Sequence, residues 1–288
     1  HRRQTGGTGG LYEKDAEKVR ERKGRPLVWR SSEDTLCRFA RRQENVMEQL
    51  KLTEDHEMSP IMKDIFRRLR TNIEFTGMEN RVICITSCGE NDGKSTISFR
   101  LAQIFAEDER NVLLIDADMR NSVLYREKGF EKDLNGLSSV LSGREKLADV
   151  IYKTNFPRLY LMPTGVFPVN PTELLNKERF RKMIAAVRKS FDYVIIDTPP
   201  LGPVIDAAVV AREVDGSILV ISSNRVSRRA AVSIRDQLVQ ANRNLLGVVL
   251  NRVERTAKGY GYGYGYGYGY GYGESAGNSG SHEERGEK

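Results

Sequence analysis

The sequence is poor in cysteine, histidine and tryptophan, and it lacks any long apolar run. Its 288 residues include three cysteines, three histidines and one tryptophan. The cysteines show neither metal-ligand spacing nor an even set for disulfides, which favours a reduced, cytoplasmic compartment. The histidines lie outside the apolar middle of the chain, which argues against histidine-based catalysis. Because no stretch of about 18 apolar residues is present, no segment is expected to span a membrane.

The start of the chain also lacks an apolar signal segment, and its charge is mixed. The chain begins at His1 rather than Met, so its natural start could lie upstream. A net charge of +7 raises the question of nucleic-acid binding, but the first 57 residues hold 13 Lys and Arg against 11 Asp and Glu. That balance indicates a solvated segment rather than a polybasic arm. We therefore expect no nucleic-acid partner.

Changes in composition divide the chain into three predicted regions. Residues 1–57 are charged and weakly patterned, and we expect them to be mostly flexible with some helix. Residues 58–257 carry the apolar content and form the predicted folded domain. Residues 258–288 are of low complexity, and we expect no fixed fold there.

The folded region opens with a predicted helix over 58–75. Ser59 suits the N-cap and Pro60 the first helical position. Apolar residues then recur at three- and four-residue spacing, which is the period of an amphipathic helix. The members of this apolar stripe are Ile61, Ile65, Phe66, Leu69 and Ile73.

Six short apolar runs follow, and they alternate with helical patterns. They are nearly continuous in Ile, Leu and Val, which is typical of parallel strands covered by helices on both faces. The runs are "RVICIT", "NVLLIDAD", "RLYLMPTG", "YVIIDTPP", "SILVISS" and "LLGVVLN". The predicted helices between them cover 94–107, 173–190, 204–213 and 227–242. The fold class is therefore α/β, a doubly wound and mostly parallel sheet, whose ligands bind at the carboxyl ends of the strands.

The first of these strands runs into the loop "TSCGENDGKST". Glycines let the backbone approach phosphates, and a following helix N-terminus supplies N–H groups. Lys94 can reach the β- and γ-phosphates, and Ser95 can ligate Mg²⁺. The strict phosphate-loop pattern fails by one position, because Cys88 stands where the first glycine belongs. The alternative is an ordinary strand–helix turn.

Acidic residues end two more of the predicted strands. Asp116 and Asp118 follow the second strand, and Asp197 ends "YVIID". Any one of them could be a simple cap or turn residue. Together with the Gly-Lys-Ser loop they predict a site for ATP and Mg²⁺.

These motifs resemble those of the bacterial tyrosine kinases of capsule and exopolysaccharide synthesis. The resemblance covers about residues 58–273. It rests on the phosphate loop, "LLIDADMR", "YVIIDTPP", "FRRLRTNI", "PVNPTELL" and "PVIDAAVVA". It implies a P-loop NTPase fold of the kind that partition and septum proteins share. In this chain Glu90-Asn91-Asp92 replaces the Pro-Gly-Glu run that is usual in the family's loop.

The resemblance also implies roles for individual residues. Lys94 would stabilise the transferring phosphoryl group, and Asp116 would accept the proton of the tyrosine hydroxyl. The metal ligands would be Ser95, Asp118 and Asp197. The nucleotide would contact Gly89, Glu90, Asn91, Asp92, Gly93, Lys94, Ser95 and Thr96, with Asn251 near the adenine. The interface of a ring-like homo-oligomer would include Arg67, Arg70, Asn72 and Arg120.

The last region concentrates tyrosine. Seven of the twelve tyrosines lie within 13 residues, each separated from the next by glycine. Glycine imposes little steric preference, so any of them can be presented to an active site. The predicted phosphoacceptors are Tyr260, Tyr262, Tyr264, Tyr266, Tyr268, Tyr270 and Tyr272. The alternative is a sticky, repeat-expanded linker.

The resemblance further implies partners and a location. The kinase would act in the cytoplasm and be recruited to the inner face of the membrane by a transmembrane chain-length regulator. A tyrosine phosphatase would reverse its reaction. Two other functions fit the same motifs: a partition- or septum-type ATPase, and a nucleotide-binding adaptor without catalytic activity. A nucleic-acid-binding module is a third alternative, and it would show salt-dependent binding to DNA.

Overall fold

A seven-stranded sheet forms the centre of the protein in a computed structural model, which describes residues 50–52, 58–124 and 134–253. The strands are β1 (Val82–Ser87), β2 (Val112–Asp116), β3 (Tyr152–Lys153), β4 (Leu159–Met162), β5 (Tyr193–Asp197), β6 (Gly216–Ser222) and β7 (Leu245–Asn251). Their order across the sheet is β3-β4-β2-β5-β1-β6-β7. All neighbours pair in parallel except β3 and β4, which are antiparallel. The doubly wound α/β class and its mostly parallel sheet are confirmed.

Helices follow most of the strands. They are α1 (Pro60–Phe75), α2 (Lys94–Glu107), α3 (Leu137–Ser142), α4 (Pro171–Leu175), α5 (Glu178–Ser190), α6 (Asp206–Ala211) and α7 (Arg228–Ala241). A short 3₁₀ helix spans Leu147–Asp149. No helix among the described residues is long and apolar enough to cross a bilayer.

The central strands are buried on both faces, which explains their continuous apolar runs. Ile83 and Ile85 of β1 pack in a cluster with side chains of α1 and α2. Val82 and Cys84 of the same strand pack in a second cluster with side chains of α3 and α5. Successive residues of a strand point to opposite faces, so each face needs its own apolar set. The carboxyl ends of these strands carry the predicted site.

Two predicted helices differ from the structure. The helix expected over 173–190 is divided, because Asn176 caps α4 and the extended backbone of Lys177 (ψ 150°) starts α5. This break lets α5 turn its own apolar side chains toward the sheet. The helix expected over 204–213 is shorter, and it begins at Asp206 after a turn at Pro203. The short elements α3 and β3 were not predicted.

The predicted apolar stripe of α1 is only partly buried. Ser59 is confirmed as its N-cap, because its Oγ accepts a hydrogen bond from the N–H of Met62 (3.3 Å). Phe66 and Ile73 are buried, but Ile61 and Ile65 are 58% and 51% exposed. The predicted amphipathic helix is therefore present, but the described residues cover only part of its apolar stripe.

The division into three regions stays a prediction, since 1–49 and 254–288 lie outside the described residues. The end of the first region does contact the folded part. Leu50 forms a parallel bridge to Thr154 beside β3. Leu52 is buried, and its N–H donates to Asn155 Oδ1 (2.8 Å). These contacts place residues 50–52 along the β3 edge of the sheet.

Candidate active site

The loop between β1 and α2 has the shape of a phosphate cradle. Gly93 lies in the left-handed region (φ 92°), and a Cβ there would come within 2.2 Å of Asn251 Nδ2. Asn251 reaches the loop from the end of β7 and donates to the backbone oxygen of Asp92 (2.9 Å). The Asp92 side chain accepts from the N–H of Gly89 (2.8 Å). Asp92 and Asn251, two of the predicted nucleotide contacts, therefore touch each other.

The N-terminus of α2 has no side-chain cap. Its first N–H groups are the donors that a phosphate accepts at a helix N-terminus. In this loop Glu90, Asn91 and Thr96 are exposed, whereas Lys94 and Ser95 are buried. The last two are thus directed into the protein rather than into solvent.

Lys94 is the cation of the site. Its Nζ lies 3.0 Å from Asp118 Oδ2 and 3.1 Å from Ser95 Oγ. Burial by itself would lower the pKa of Lys94, but the charges of Asp197 and Asp118 outweigh it, and the pKa is raised. The ammonium therefore stays charged at neutral pH.

Asp116 and Asp118 are held by the loop that follows β2. Asp116 Oδ1 accepts from the N–H of Asp118 (3.1 Å), and its Oδ2 accepts from the Ser122 hydroxyl. Asp118 Oδ1 accepts from the N–H of Asn121 (3.0 Å). Burial raises the pKa of Asp116 to about 7, with a further rise from the charge of Asp197. A pKa near the working pH suits a group that takes up a proton.

Asp197 lies beside Asp116 on the neighbouring strand, since the two are register partners on β5 and β2. Its Oδ1 accepts from the Ser98 hydroxyl (3.1 Å), but its buried Oδ2 has no hydrogen-bond partner among the described residues. Burial raises the pKa of Asp197, against the charge of Lys94. An orphaned buried carboxylate oxygen beside other carboxylates is what an absent cation would satisfy.

Magnesium fits this donor set. Mg²⁺ usually takes one or two carboxylates together with substrate phosphates and waters rather than a full protein cage. No cluster of three or more His, Cys, Asp and Glu poised for a metal is found within 50–52, 58–124 and 134–253. Ser95, Asp118 and Asp197 supply one hydroxyl and two carboxylates at one end of the sheet.

Three of the four predicted interface residues lie on α1, apart from this site. Arg67 and Arg70 of α1 pair with Glu107 (3.8 Å) and Asp108 (3.1 Å) at the far end of α2. Glu107 is 13 residues beyond Lys94, about 20 Å along the helix. Asn72 is exposed on α1.

Arg120, the fourth predicted interface residue, is engaged within its own chain. Its Nε lies 2.7 Å from Asp206 Oδ2, and its Nη2 lies 3.0 Å from Thr172 Oγ1. The seven predicted phosphoacceptor tyrosines, Tyr260 to Tyr272, lie outside the described residues.

Some contacts of the site were missed from the sequence. Ser98 and Ser122 orient carboxylates, yet nothing distinguishes them from other serines in the sequence. Gly202 is another case, because a Cβ there would come within 2.3 Å of the Cys88 carbonyl oxygen. The N–H of Leu201 also donates to the Ser87 oxygen (2.9 Å), so the loop after β5 packs on the phosphate loop. The run "PPLG", residues 199–202, is the sequence signal that could have indicated this packing.

Together the parallel sheet, the phosphate loop and the buried carboxylates define a P-loop nucleotide-binding protein. Residues 80–245 match a family model described as an AAA domain. The chain is 44% identical over 199 residues to tyrosine-protein kinase CpsD of Streptococcus agalactiae, which covers 69% of this chain and 86% of that protein. The solved kinase domain of the Escherichia coli tyrosine kinase ETK is 29% identical, with a TM-score of 0.63 over 76% of this chain and 97% of that one. The chain therefore belongs to the bacterial tyrosine-protein kinases.

The fold extends to a further group of P-loop proteins. The septum site-determining protein MinD of Pyrococcus horikoshii, solved in complex with Mg-ADP, is 27% identical with a TM-score of 0.53. It covers 62% of this chain, and this chain covers 72% of it. The expected likeness to septum-type P-loop proteins is thereby confirmed.

Proposed function

We propose that this kinase uses Mg-ATP to phosphorylate its own C-terminal tyrosine cluster, and that one copy phosphorylates another within a ring-like homo-oligomer. Phosphorylation of the cluster would regulate the polymerisation and export of a capsular or extracellular polysaccharide. The observation that carries the proposal is that a buried cation, Lys94, and a buried carboxylate, Asp116, lie at the same end of the sheet, where both contact Asp118.

The site suits phosphoryl transfer from ATP. The phosphates would lie on the loop N–H groups and against Lys94. Mg²⁺, held by Ser95, Asp118 and Asp197, would neutralise charge on the phosphate oxygens. The relation to MinD, which was solved with Mg-ADP, supports the same ligand here. Asn251 braces the loop beside the predicted adenine position.

Asp116 takes the role of proton acceptor. A phenol loses its proton near pH 10, so a nearby carboxylate must take the proton as the new bond forms. The tyrosine oxygen bonds to the terminal phosphorus, the bond from that phosphorus to the departing ADP oxygen breaks, and the phenolic proton passes to Asp116. Lys94 stabilises the negative charge that develops on the transferred group.

The exposed half of α1 supports an oligomer. Ile61, Met62 and Ile65 form an apolar surface that no described residue covers. Apolar surface of this kind marks protein–protein contacts. Arg67, Arg70 and Asn72 lie on the same helix, so we assign this surface to the neighbouring subunit. Arg120 stays a proposed interface residue as well, since its side chain is 39% exposed.

Further partners belong to the same proposal. A transmembrane chain-length regulator would recruit the kinase from the cytoplasm to the membrane and activate it, and a tyrosine phosphatase would return the tail to its starting state. Their support is membership of the kinase family together with the tyrosine-rich tail.

The test is intact-mass spectrometry of purified protein incubated with Mg-ATP, with and without a candidate activator tail. Three full-length proteins are compared: the wild type, Lys94→Met, and a variant with all seven tail tyrosines changed to phenylalanine. We expect stepwise additions of phosphate on the wild type only. Phosphate on the phenylalanine variant would place the acceptors elsewhere.

The alternative functions give different outcomes in the same experiment. A septum-type ATPase would hydrolyse ATP and leave all three masses unchanged. A nucleotide-binding adaptor would bind ATP with neither hydrolysis nor transfer. Either result would overturn the autokinase proposal.

A further inference from the structure

Three side chains from different segments of the chain meet beside the active site. Arg120 Nε and Nη2 donate to Asp206 Oδ2 (2.7 Å) and Oδ1 (3.1 Å). Arg120 Nη2 also donates to Thr172 Oγ1 (3.0 Å), and the Thr172 hydroxyl donates to Asp206 Oδ1 (2.5 Å). We call this closed set of hydrogen bonds the Arg120 triad.

The triad joins the loops that follow three adjacent strands. Arg120 lies in the loop after β2, Thr172 lies in α4 beyond β4, and Asp206 begins α6 beyond β5. These strands are neighbours in the order β4-β2-β5. The triad therefore ties together the end of the sheet at which the catalytic groups lie.

Within the first of these loops, Arg120 is close to both catalytic aspartates along the chain. The backbone N–H groups of Asp118 and Asn121, on either side of Arg120, hold Asp116 Oδ1 and Asp118 Oδ1. A shift of the backbone at Arg120 would therefore move the groups that orient both carboxylates. The Thr164 hydroxyl also donates a hydrogen bond to the Asp116 carbonyl oxygen (3.1 Å). This bond holds the end of β2 and not the loop that follows it.

The charges explain why an arginine occupies the position. Asp206 is completely buried, and Arg120 is its cationic partner. A planar guanidinium matches both oxygens of a carboxylate at once, whereas a lysine ammonium acts as a point charge on a flexible stem. Only the forked group can fix the direction of the loop as well as neutralise the buried charge.

We propose that the Arg120 triad positions Asp116 and Asp118 for phosphoryl transfer, so that Arg120, Thr172 and Asp206 act as positioning residues. The proposal rests on the function given above and deepens it. Arg120 would then position the aspartates of its own subunit, in addition to the interface role proposed for it. Partners that orient metal ligands are commonly worth 10–100-fold in metal affinity or activity.

The test uses full-length variants that change the triad gently. Arg120→Lys keeps the charge and loses the fork, and Thr172→Val keeps the shape and loses the hydroxyl. Thr172→Ser keeps the hydroxyl. Arg181→Lys is a matched control, because Arg181 pairs with Glu213 (3.1 Å) on a surface away from the carboxylates.

Three quantities are measured for each variant: kcat and KM with an added Tyr-Gly peptide, the Mg²⁺ concentration that half-saturates binding of a fluorescent ADP, and the melting temperature. We expect Arg120→Lys and Thr172→Val to lose about 10–100-fold in kcat or in Mg²⁺ affinity, with the KM for the peptide nearly unchanged. Thr172→Ser should recover most of the loss, and Arg181→Lys should behave as the wild type.

The triad has only a structural role if Arg120→Lys and Thr172→Val lower the melting temperature and leave kcat and Mg²⁺ affinity at wild-type values. That result would overturn the inference. If the wild type itself transfers no phosphate, the proposed function fails, and the Mg²⁺ dependence of ADP binding still decides the role of the triad.

Discussion

The helices α1 and α2 pack against each other, yet they differ sharply in burial. Of the 14 residues of α2, 11 are buried, and they include Lys94 and Ser95. Of the 16 residues of α1, only Phe66 and Ile73 are buried. Helix α2 carries Lys94 and Ser95 into the core, whereas α1 keeps the apolar side chains of Ile61 and Ile65 at the surface. We infer that one chain holds the proposed catalytic groups within its own fold and leaves on α1 a surface that a second copy can cover.

The largest effect is expected on the α2 side of this comparison. Lys94→Met removes the buried cation that we propose stabilises the transferring phosphoryl group, and we expect the initial rate of tyrosine phosphorylation to fall by about 10²–10³-fold. Lys63→Met on α1 is the matched control, because Lys63 pairs with Glu107 (3.8 Å) outside the site. Equal rates for the two variants in a phosphotyrosine assay would contradict the assignment of Lys94.

A smaller effect is expected on the α1 side. Ile61→Asp with Ile65→Asp places two charges on the exposed apolar surface and should weaken self-association by about tenfold or more. Light scattering would show smaller assemblies, while the melting temperature of the subunit stays within a few degrees of the wild type. Ser233→Asp with Gln237→Asp gives the same charges and spacing on α7, at exposed polar positions. The surface has no role in assembly if both pairs behave alike.

Substitution of Asp197 tests whether this buried carboxylate belongs to the proposed metal site. Asp197→Asn removes a buried charge whose Oδ2 lacks a partner in the described structure. We expect the nucleotide-free protein to melt about 2–4 °C higher, the shift that 1 kcal/mol gives in a domain of this size. Mg-ADP should then stabilise the variant less than the wild type, since the stability that a ligand adds rises with the logarithm of its concentration divided by Kd.

Thermal unfolding with and without Mg-ADP measures both shifts. Asp192→Asn is a suitable control, because Asp192 directly precedes β5, at the opposite end of the strand from Asp197. Asp192 lies near the surface, where its Oδ2 accepts from the N–H of Asn111 (2.8 Å). Equal gains from Mg-ADP in Asp197→Asn and the wild type would remove Asp197 from the metal site.

The smallest effect concerns Cys84 of β1 and Cys88 of the phosphate loop. Burial raises the pKa of Cys84 to about 12 and that of Cys88 to about 11, so both remain thiols at neutral pH. Only the thiolate reacts readily. In a Cys37→Ser background, an hour of iodoacetamide at pH 7.5 should therefore change the kinase rate less than about twofold. Rapid inactivation with Cys88 modified would contradict this and show that the Cys88 thiol is reactive.

The sheet and most of the site could be predicted because their signals are local. Continuous apolar runs identify strands that are covered on both faces, and the residues that end those runs lie at one edge. Lys94, Asp116, Asp118 and Asp197 all follow from that rule. Family resemblance added the roles, and relationship to CpsD confirmed the family.

The remaining features depend on tertiary contacts. Ser98 donates a hydrogen bond to Asp197, and Ser122 donates one to Asp116. Their spacing in the sequence does not predict these contacts. The break between α4 and α5 rests on the backbone of Lys177, within a run that reads as one helix. The exposure of Ile61 and Ile65 could not be foreseen either, since helical periodicity predicts an apolar face without saying whether the same chain covers it.

The central claim is that the active site of one copy phosphorylates the tail of another, and a mixing experiment tests it most directly. Full-length Lys94→Met supplies intact tail tyrosines without a working site. The variant with seven phenylalanines in the tail supplies a working site without acceptors. We predict that neither phosphorylates its own tail when incubated alone with Mg-ATP, and that the mixture places phosphate on the Lys94→Met chain. A mixture that stays unphosphorylated, while the wild type labels itself, would show transfer within one chain and contradict the account.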